Sequence, residues 1–390
     1  MASTWPGISS NIASRTLRIN ELEVHILEAS PPSAEPKPLL LLLHGFPEIA
    51  YSWRKLMAPL SEAGYHVVAP DQRGFGRTKS LTQPSAQIHF DDDLAPFRML
   101  NLVKDIICLV YALGYTSVAS VVGHDFGSPV AGYCALIRPD IFKSVVMMSV
   151  PGPPSPSSNP SNAPAAKPPG LSMSEQFAAL DPPRKHYMMY FSTADANAHL
   201  CDPPQGLHAF LRAYYHVKSA DWAHNQPYRL PLPTASHLAV IPHYYVMPLH
   251  ETMPECVARD APSPEEVENN TWLPENELAV YVAEYSSTGF QGGLNWYRAM
   301  TDAKWTSDML VFAGKRIEVP AMFIAGKQDW GVYQNPGAVE AMREKVCGNM
   351  CDEDYVLVDG AGHWVQQEKA GVVVEHLLRF LGKVTTSNSG

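Results

Sequence analysis

Cysteine is scarce in this chain. Its six residues are scattered, and only Cys347 and Cys351 lie near one another. Without a second ligand pair, that distribution excludes a disulfide framework and gives no zinc pattern, so free thiols are expected. Runs of one charge are also missing. The formal net charge is −10, and no long stretch of Lys or Arg offers a footprint for nucleic acid or an anionic membrane. The longest aliphatic run, Leu39 to Leu43, is far too short to span a bilayer. The opening "MASTWPGISSNIASR" has no basic start followed by an apolar run, and "TTSNSG" at the other end carries no readable address. A cytoplasmic location is the expectation. No metal site is read either. "DDD" at Asp91 to Asp93 reads as a solvated turn, "RGFGRT" lacks phosphate-loop spacing, and the many histidines after residue 151 do not fall at ligand spacing. No cofactor is implied, and nothing indicates an oligomeric state.

The chain does have enough apolar sequence for a large core: 46% of 390 residues are hydrophobic and 17% are charged. Short apolar runs end abruptly in turn residues at Leu39 to Leu43, Tyr65 to Ala69, Val118 to Val122, Val145 to Val150 and Ala321 to Ala325, with a weaker run at Tyr355 to Val358. Such runs read as strands buried on both faces. Helical spacing lies between them, as at Leu100 to Leu113. The alternation predicts an α/β fold, a mostly parallel sheet with helices on both faces. It stops at Pro151, where "PGPPSPSSNPSNAPAAKPPG" is too rich in Pro and Ser to pack as an element. The sheet pattern resumes near Val319. Residues 1–150 and 309–390 are therefore expected to form one core, and 151–308 a mainly helical insertion. Within it, "LSMSEQFAAL", "HAFLRAYYHV" and "PENELAVYVAEYSSTG" carry helix-like spacing.

Sheets of this kind place their sites at the carboxyl ends of the strands. Three polar residues stand at such ends: Asp125 after the third run, Asp329 after Ala321 to Ala325, and His363 in "DGAGHWVQQ". Gly123-His124-Asp125-Phe126-Gly127 resembles the nucleophile turn of α/β-hydrolases, where G-x-S-x-G is expected, and nucleophile, acid, histidine is their chain order. A carboxylate in the nucleophile position is ill suited to acylation, because attack on an ester or amide gives an unstable anhydride. It is competent at a saturated carbon bearing a leaving group. The product is an ester on the enzyme, which water activated by His363, with Asp329 fixing the imidazole, can hydrolyse. The leaving group is left open between an epoxide oxygen and a halide.

Together "HGFPEIAYSWR", "DQRGFGRT", "GHDFGS", "GFQGGLNWYR", "GKQDWGV" and "GAGHWVQQEKA" resemble the α/β-hydrolase-fold epoxide hydrolases of the soluble type, over most of 38 to 378 and more strongly in the core than over 151 to 280. The resemblance implies a small-molecule epoxide substrate and an inserted lid. It makes Tyr297, the Tyr of N-W-Y-R, a donor to the epoxide oxygen. "RKHYMMYFST" implies Tyr187 as its partner, with Tyr190 the second choice and Tyr214 and Tyr215 nearby. Two phenols, with pKa near 10, can deliver a proton while uncharged at neutral pH. The backbone N–H groups of Phe46 and Phe126 are the implied oxyanion hole, with a cis bond between Phe46 and Pro47. Trp53 and Trp330 either line the pocket or pack in the core.

Two rivals remain. A haloalkane or haloacid dehalogenase would use the same Asp nucleophile. Dehalogenases of similar core hold the halide with an indole N–H directly after the nucleophile, where this chain has Phe126, which carries no donor. A non-catalytic ligand-binding member of the fold is the other; an intact Asp125, Asp329 and His363 argues against it.

Overall fold

The computed structural model describes residues 5–31, 36–82, 87–153 and 171–387. Eleven strands occur among them: β1 (Ile12–Ile19), β2 (Leu22–Ala29), β3 (Leu39–Leu43), β4 (His66–Pro70), β5 (Lys79–Ser80), β6 (Ser120–His124), β7 (Val145–Met148), β8 (Arg184–His186), β9 (Val246–Pro248), β10 (Ala321–Gly326) and β11 (Tyr355–Val358). Nine of them form one sheet in the order β1-β2-β4-β3-β6-β7-β10-β11, with β5 also on β2. From β4 to β11 every pairing is parallel, whereas β1, β2 and β5 pair antiparallel.

The continuous apolar runs have a simple cause: the parallel strands are covered on both faces. Leu39, Leu41 and Leu43 of β3 share one face with Val121, Val145 and Phe323, packed beneath Met99–Ala112 and Gly127–Ile137. Leu40 and Leu42 share the other with Val122, Val146 and Ile324, against Arg54–Glu62 and Ala370–Ser387. β3 and β11 occupy the expected bounds. β6 starts at Ser120, because Val118 makes only an isolated bridge to Phe142. β1 and β2 escape the sequence reading. They form a hairpin turned at Asn20 (φ 50°), and the outward residues of β1 are exposed and polar.

β3 is followed in sequence by its neighbour β4, and the chain then crosses to β6 on β3's other side. That reversal opens a crevice at the carboxyl ends of β3 and β6, the usual place for a site in such sheets. Between β7 and β10 the chain leaves the large sheet. The three quoted segments give helices Met173–Ala178, Leu207–Lys218 and Glu275–Thr288. The small antiparallel pair β8–β9 was not anticipated, since three-residue strands leave no periodicity to read. The Pro-rich stretch expected over 151–170 lies, from residue 154 on, outside the described residues. No helix among the described residues is long and apolar enough to cross a membrane.

Candidate active site

Asp125 ends the turn between β6 and the helix Gly127–Ile137 with φ 51°, a left-handed conformation that non-glycine residues adopt at a cost. The flanking glycines are required by close approach. A Cβ on Gly123 would lie 1.9 Å from Gly127 O, and one on Gly127 would lie 2.0 Å from Leu43 O. The turn therefore aims the Asp125 carboxylate into the crevice, at the N-terminal end of an eleven-residue helix whose dipole favours an anion.

The predicted strand-end residues meet there. The Phe46 N–H donates to Asp125 Oδ1 (2.9 Å), and the peptide bond from Phe46 to Pro47 is cis. His363 Nε2 stands 3.4 Å from Asp125 Oδ2. On the far side of the ring, Nδ1 faces Asp329 Oδ1 and Oδ2 at 3.2 and 3.3 Å. The Gly331 N–H donates to Asp329 Oδ1 (2.7 Å). Burial works against the charge of Asp125, but the facing imidazole of His363, helped by Lys218 and His124, holds its carboxyl well below the usual range. Asp329 is likewise held low, against burial, by the charge and hydrogen bond of His363. The His363 imidazole is opposed by burial and Lys218 but raised overall by Asp329 and Asp125.

Both predicted tyrosines come from the insertion. The Tyr297 ring packs edge-on against Phe126 (centroids 4.4 Å apart) and Phe46 (5.5 Å), the residues flanking Asp125. Its helix, Gln291–Thr301, rests on the core because "GFQGGLNWYR" has glycines where the two meet. A Cβ on Gly292 would lie 1.9 Å from Gly74 O, and the Trp296 indole donates to Arg73 O (2.9 Å). The Tyr187 ring lies 5.8 Å from that of Tyr297 at 81°. Burial pushes both phenols well above 10, and the Asp125 charge adds to the effect. Tyr190 is turned elsewhere, with its hydroxyl 3.2 Å from His199 Nδ1. Tyr215 donates to Pro47 O (2.9 Å), and Tyr214 is buried with its ring against Phe210 (5.9 Å).

The two tryptophans part company. Trp330 packs in the cluster that holds Phe46, Tyr187 and Tyr297. Trp53 belongs to the cluster on the opposite face of the sheet, so pocket lining is corrected to core packing for that residue. Asp91 to Asp93 form the expected turn, in which the carboxylates of Asp92 and Asp93 accept from the N–H groups of His89 and Ala95. All six cysteines are free, and no cluster of three His, Cys, Asp or Glu among the described residues is arranged to hold a metal ion.

Sequence reasoning missed the residues that support the triad. His124, next to Asp125, points Nδ1 at Glu48 Oε2 (2.7 Å) and Nε2 at His363 O (2.7 Å), so both ring nitrogens face acceptors. Glu48 also accepts from Gln366 (3.0 Å) and Gln367 (2.8 Å). Glu368 accepts from the N–H groups on either side of His363, Gly362 and Trp364 (both 2.9 Å), and from Ala220 of the insertion (2.8 Å). Glu48, His124 and Glu368 all lie inside the quoted motifs. Their signal was proximity to a reactive residue, which strand-end logic does not weigh.

Comparison with known proteins agrees with this geometry. Residues 38–370 match the α/β-hydrolase-fold family. Epoxide hydrolase A of Mycobacterium tuberculosis is 32% identical over 94% of this chain and 96% of its own length. Epoxide hydrolase 3 of Siraitia grosvenorii is 30% identical over 94% and 98%. Among solved structures, an epoxide hydrolase from an endophytic Streptomyces superposes with a TM-score of 0.74 at 29% identity, covering 97% of each chain. The carboxylate turn, its histidine partner and the overlying phenols thus sit in a chain that belongs to the epoxide hydrolases of the α/β-hydrolase fold.

Proposed function

We propose that the protein hydrolyses a small-molecule epoxide to a vicinal diol through a covalent ester on Asp125, with residues 1–150 and 309–390 as the hydrolase core and 151–308 as the lid. One observation carries this reading: a buried carboxylate, favoured as the anion, lies between an imidazole at 3.4 Å and two phenols favoured as neutral. Tyr187 and Tyr297 hydrogen-bond the epoxide oxygen and protonate it as it leaves. Asp125 attacks the ring carbon, so one C–O bond forms while another breaks. His363 Nε2 then takes a proton from water, and the hydroxide adds to the ester carbonyl. The oxyanion is received by the N–H groups of Phe46 and Phe126. Collapse expels the diol oxygen, which takes its proton from the restored Asp125 carboxyl, and the imidazolium, steadied by Asp329, returns its proton to the phenolate.

The test is a single turnover in oxygen-18 water with enzyme in excess. The reading expects unlabelled diol, and heavy oxygen in a peptide containing Asp125. Heavy oxygen in the first-turnover diol would mean that water attacks the epoxide directly.

A further inference from the structure

Lys218 carries a charge that this scheme leaves unused. It ends the insertion's helix Leu207–Lys218 and is 3% exposed. Its ammonium faces three aromatic rings, with Nζ 5.0 Å from the centroid of Tyr245 and 5.3 Å from those of Tyr214 and Trp364. No carboxylate forms an ion pair with it among the described residues. Taking an ammonium out of water is costly, and π faces return only part of that cost. Burial accordingly holds its pKa below the ordinary lysine value, against the charges of Asp125, Asp329 and Glu48.

Its surroundings tie it to the catalytic base. The Lys218 carbonyl accepts the His363 N–H (2.8 Å). Trp364 packs edge-on against the His363 ring (4.6 Å), and Tyr245 against Tyr187 (5.1 Å). The groups around the His363 imidazole can be counted. Asp125 and His124 come from the end of β6 and Asp329 from the end of β10, with Glu48 behind His124 and Lys218 arriving from the insertion.

We propose that Lys218 is a positioning residue for the second half-reaction: its ammonium keeps His363 neutral, and so able to accept a proton from water, once Asp125 has become an uncharged ester. The proposal rests on the covalent reading above. In the resting site the two carboxylates at Nδ1 and Nε2 outweigh Lys218 and favour the imidazolium. Alkylation turns Asp125 from a carboxylate into a neutral ester, so one of those carboxylates disappears. Lys218 loses the attraction of Asp125 as well, but Asp329 and Glu48 still favour its ammonium, and the balance on His363 tips towards the free base as its proton is released to solvent. Without Lys218, only burial would oppose Asp329, and the imidazolium would persist to higher pH.

The experiment is quench-flow mass spectrometry of ester formation and decay, from pH 5 to 9, with styrene oxide as probe. In Lys218→Met the ester should still form. The acid limb of its decay should move up by about one pH unit, a roughly tenfold slower decay on that limb. Lys218→Arg keeps the charge and should keep the wild-type limb. An unmoved limb in Lys218→Met, or an equal loss at every pH, would overturn the proposal, because a merely structural lysine changes amplitude and not the titration. Should Lys218→Met fail to fold, Lys218→Gln serves the same comparison with a polar, uncharged chain. Absence of any ester in His363→Gln would instead overturn the covalent reading, and so separates the two failures.

Discussion

Asp125 and Tyr297 are both buried, yet their surroundings favour the ion at one and the neutral form at the other. Burial disfavours the charged form of each. At Asp125 that penalty is outweighed by the imidazole of His363 that faces it. At Tyr297 nothing offsets it, and the neighbouring carboxylate raises the phenol further. The two regions also differ in how they hold their groups. At the strand ends the reactive atoms are fixed by hydrogen bonds to backbone and imidazole. Over them, the phenols are set by ring packing and by a glycine contact between the helix Gln291–Thr301 and the core. An anion beneath two neutral proton donors is the division that opening an epoxide requires.

Loss of the strand-end groups should be the heaviest blow. Asp125→Ala should abolish turnover. His363→Gln should leave attack intact and block release, cutting multiple turnover by about 10⁴-fold or more. Mass spectrometry should find protein plus substrate mass in the His363 variant, and an unmodified protein would remove His363 from the role of water activator. The phenols come next. Tyr297→Phe and Tyr187→Phe should each slow ring opening by roughly ten- to a thousandfold, equivalent to about 1.4 to 4 kcal/mol. The double variant should remain folded and nearly dead. Unchanged alkylation in Tyr187→Phe would hand its part to another lid tyrosine.

A third substitution tests packing against chemistry. Gly292→Ala adds a single methyl group where the lid helix crosses Gly74. It should lower ring opening by about tenfold while sparing ester decay, with a cost in stability of about 1–3 kcal/mol. Equal losses in both steps would mean that the helix does more than carry Tyr297. The smallest effect expected is at Glu368, which burial raises to about 7 while three backbone N–H groups pull the other way. An unfolded glutamate titrates near ~4.3. This carboxyl therefore favours the fold fully below that value, and its contribution is lost as pH rises through about 7. Melting curves of Glu368→Gln should fall less steeply than the wild type's between those limits, by a few degrees. Parallel curves would contradict the assignment.

The same comparison explains what the sequence made legible. Strands buried on both faces announce themselves as apolar runs, and their ends delivered Asp125, Asp329 and His363. Tyr297 was reachable only through the family resemblance carried by "GFQGGLNWYR", whose glycines are where its helix meets the core. The hairpin β1–β2 was not legible, since half of its edge strand is polar. Trp53 was ambiguous because a buried indole reads the same in a pocket wall as in a core, and only the fold places its short helix under the far face of the sheet. Lys218 and Glu368 are ordinary residues in sequence, and only the folded chain sets them against the backbone around His363.

The contact at 218–220 also bears on how such enzymes can be recombined. The Lys218 carbonyl and the Ala220 N–H belong to the segment between β7 and β10, yet they brace the loop that carries His363. An exchange of lids between relatives, made to alter substrate range, would therefore also change the seat of His363. A working graft would have to match Glu368 to the incoming turn, and protection of the His363 amide from hydrogen exchange would report whether the new lid had locked in place.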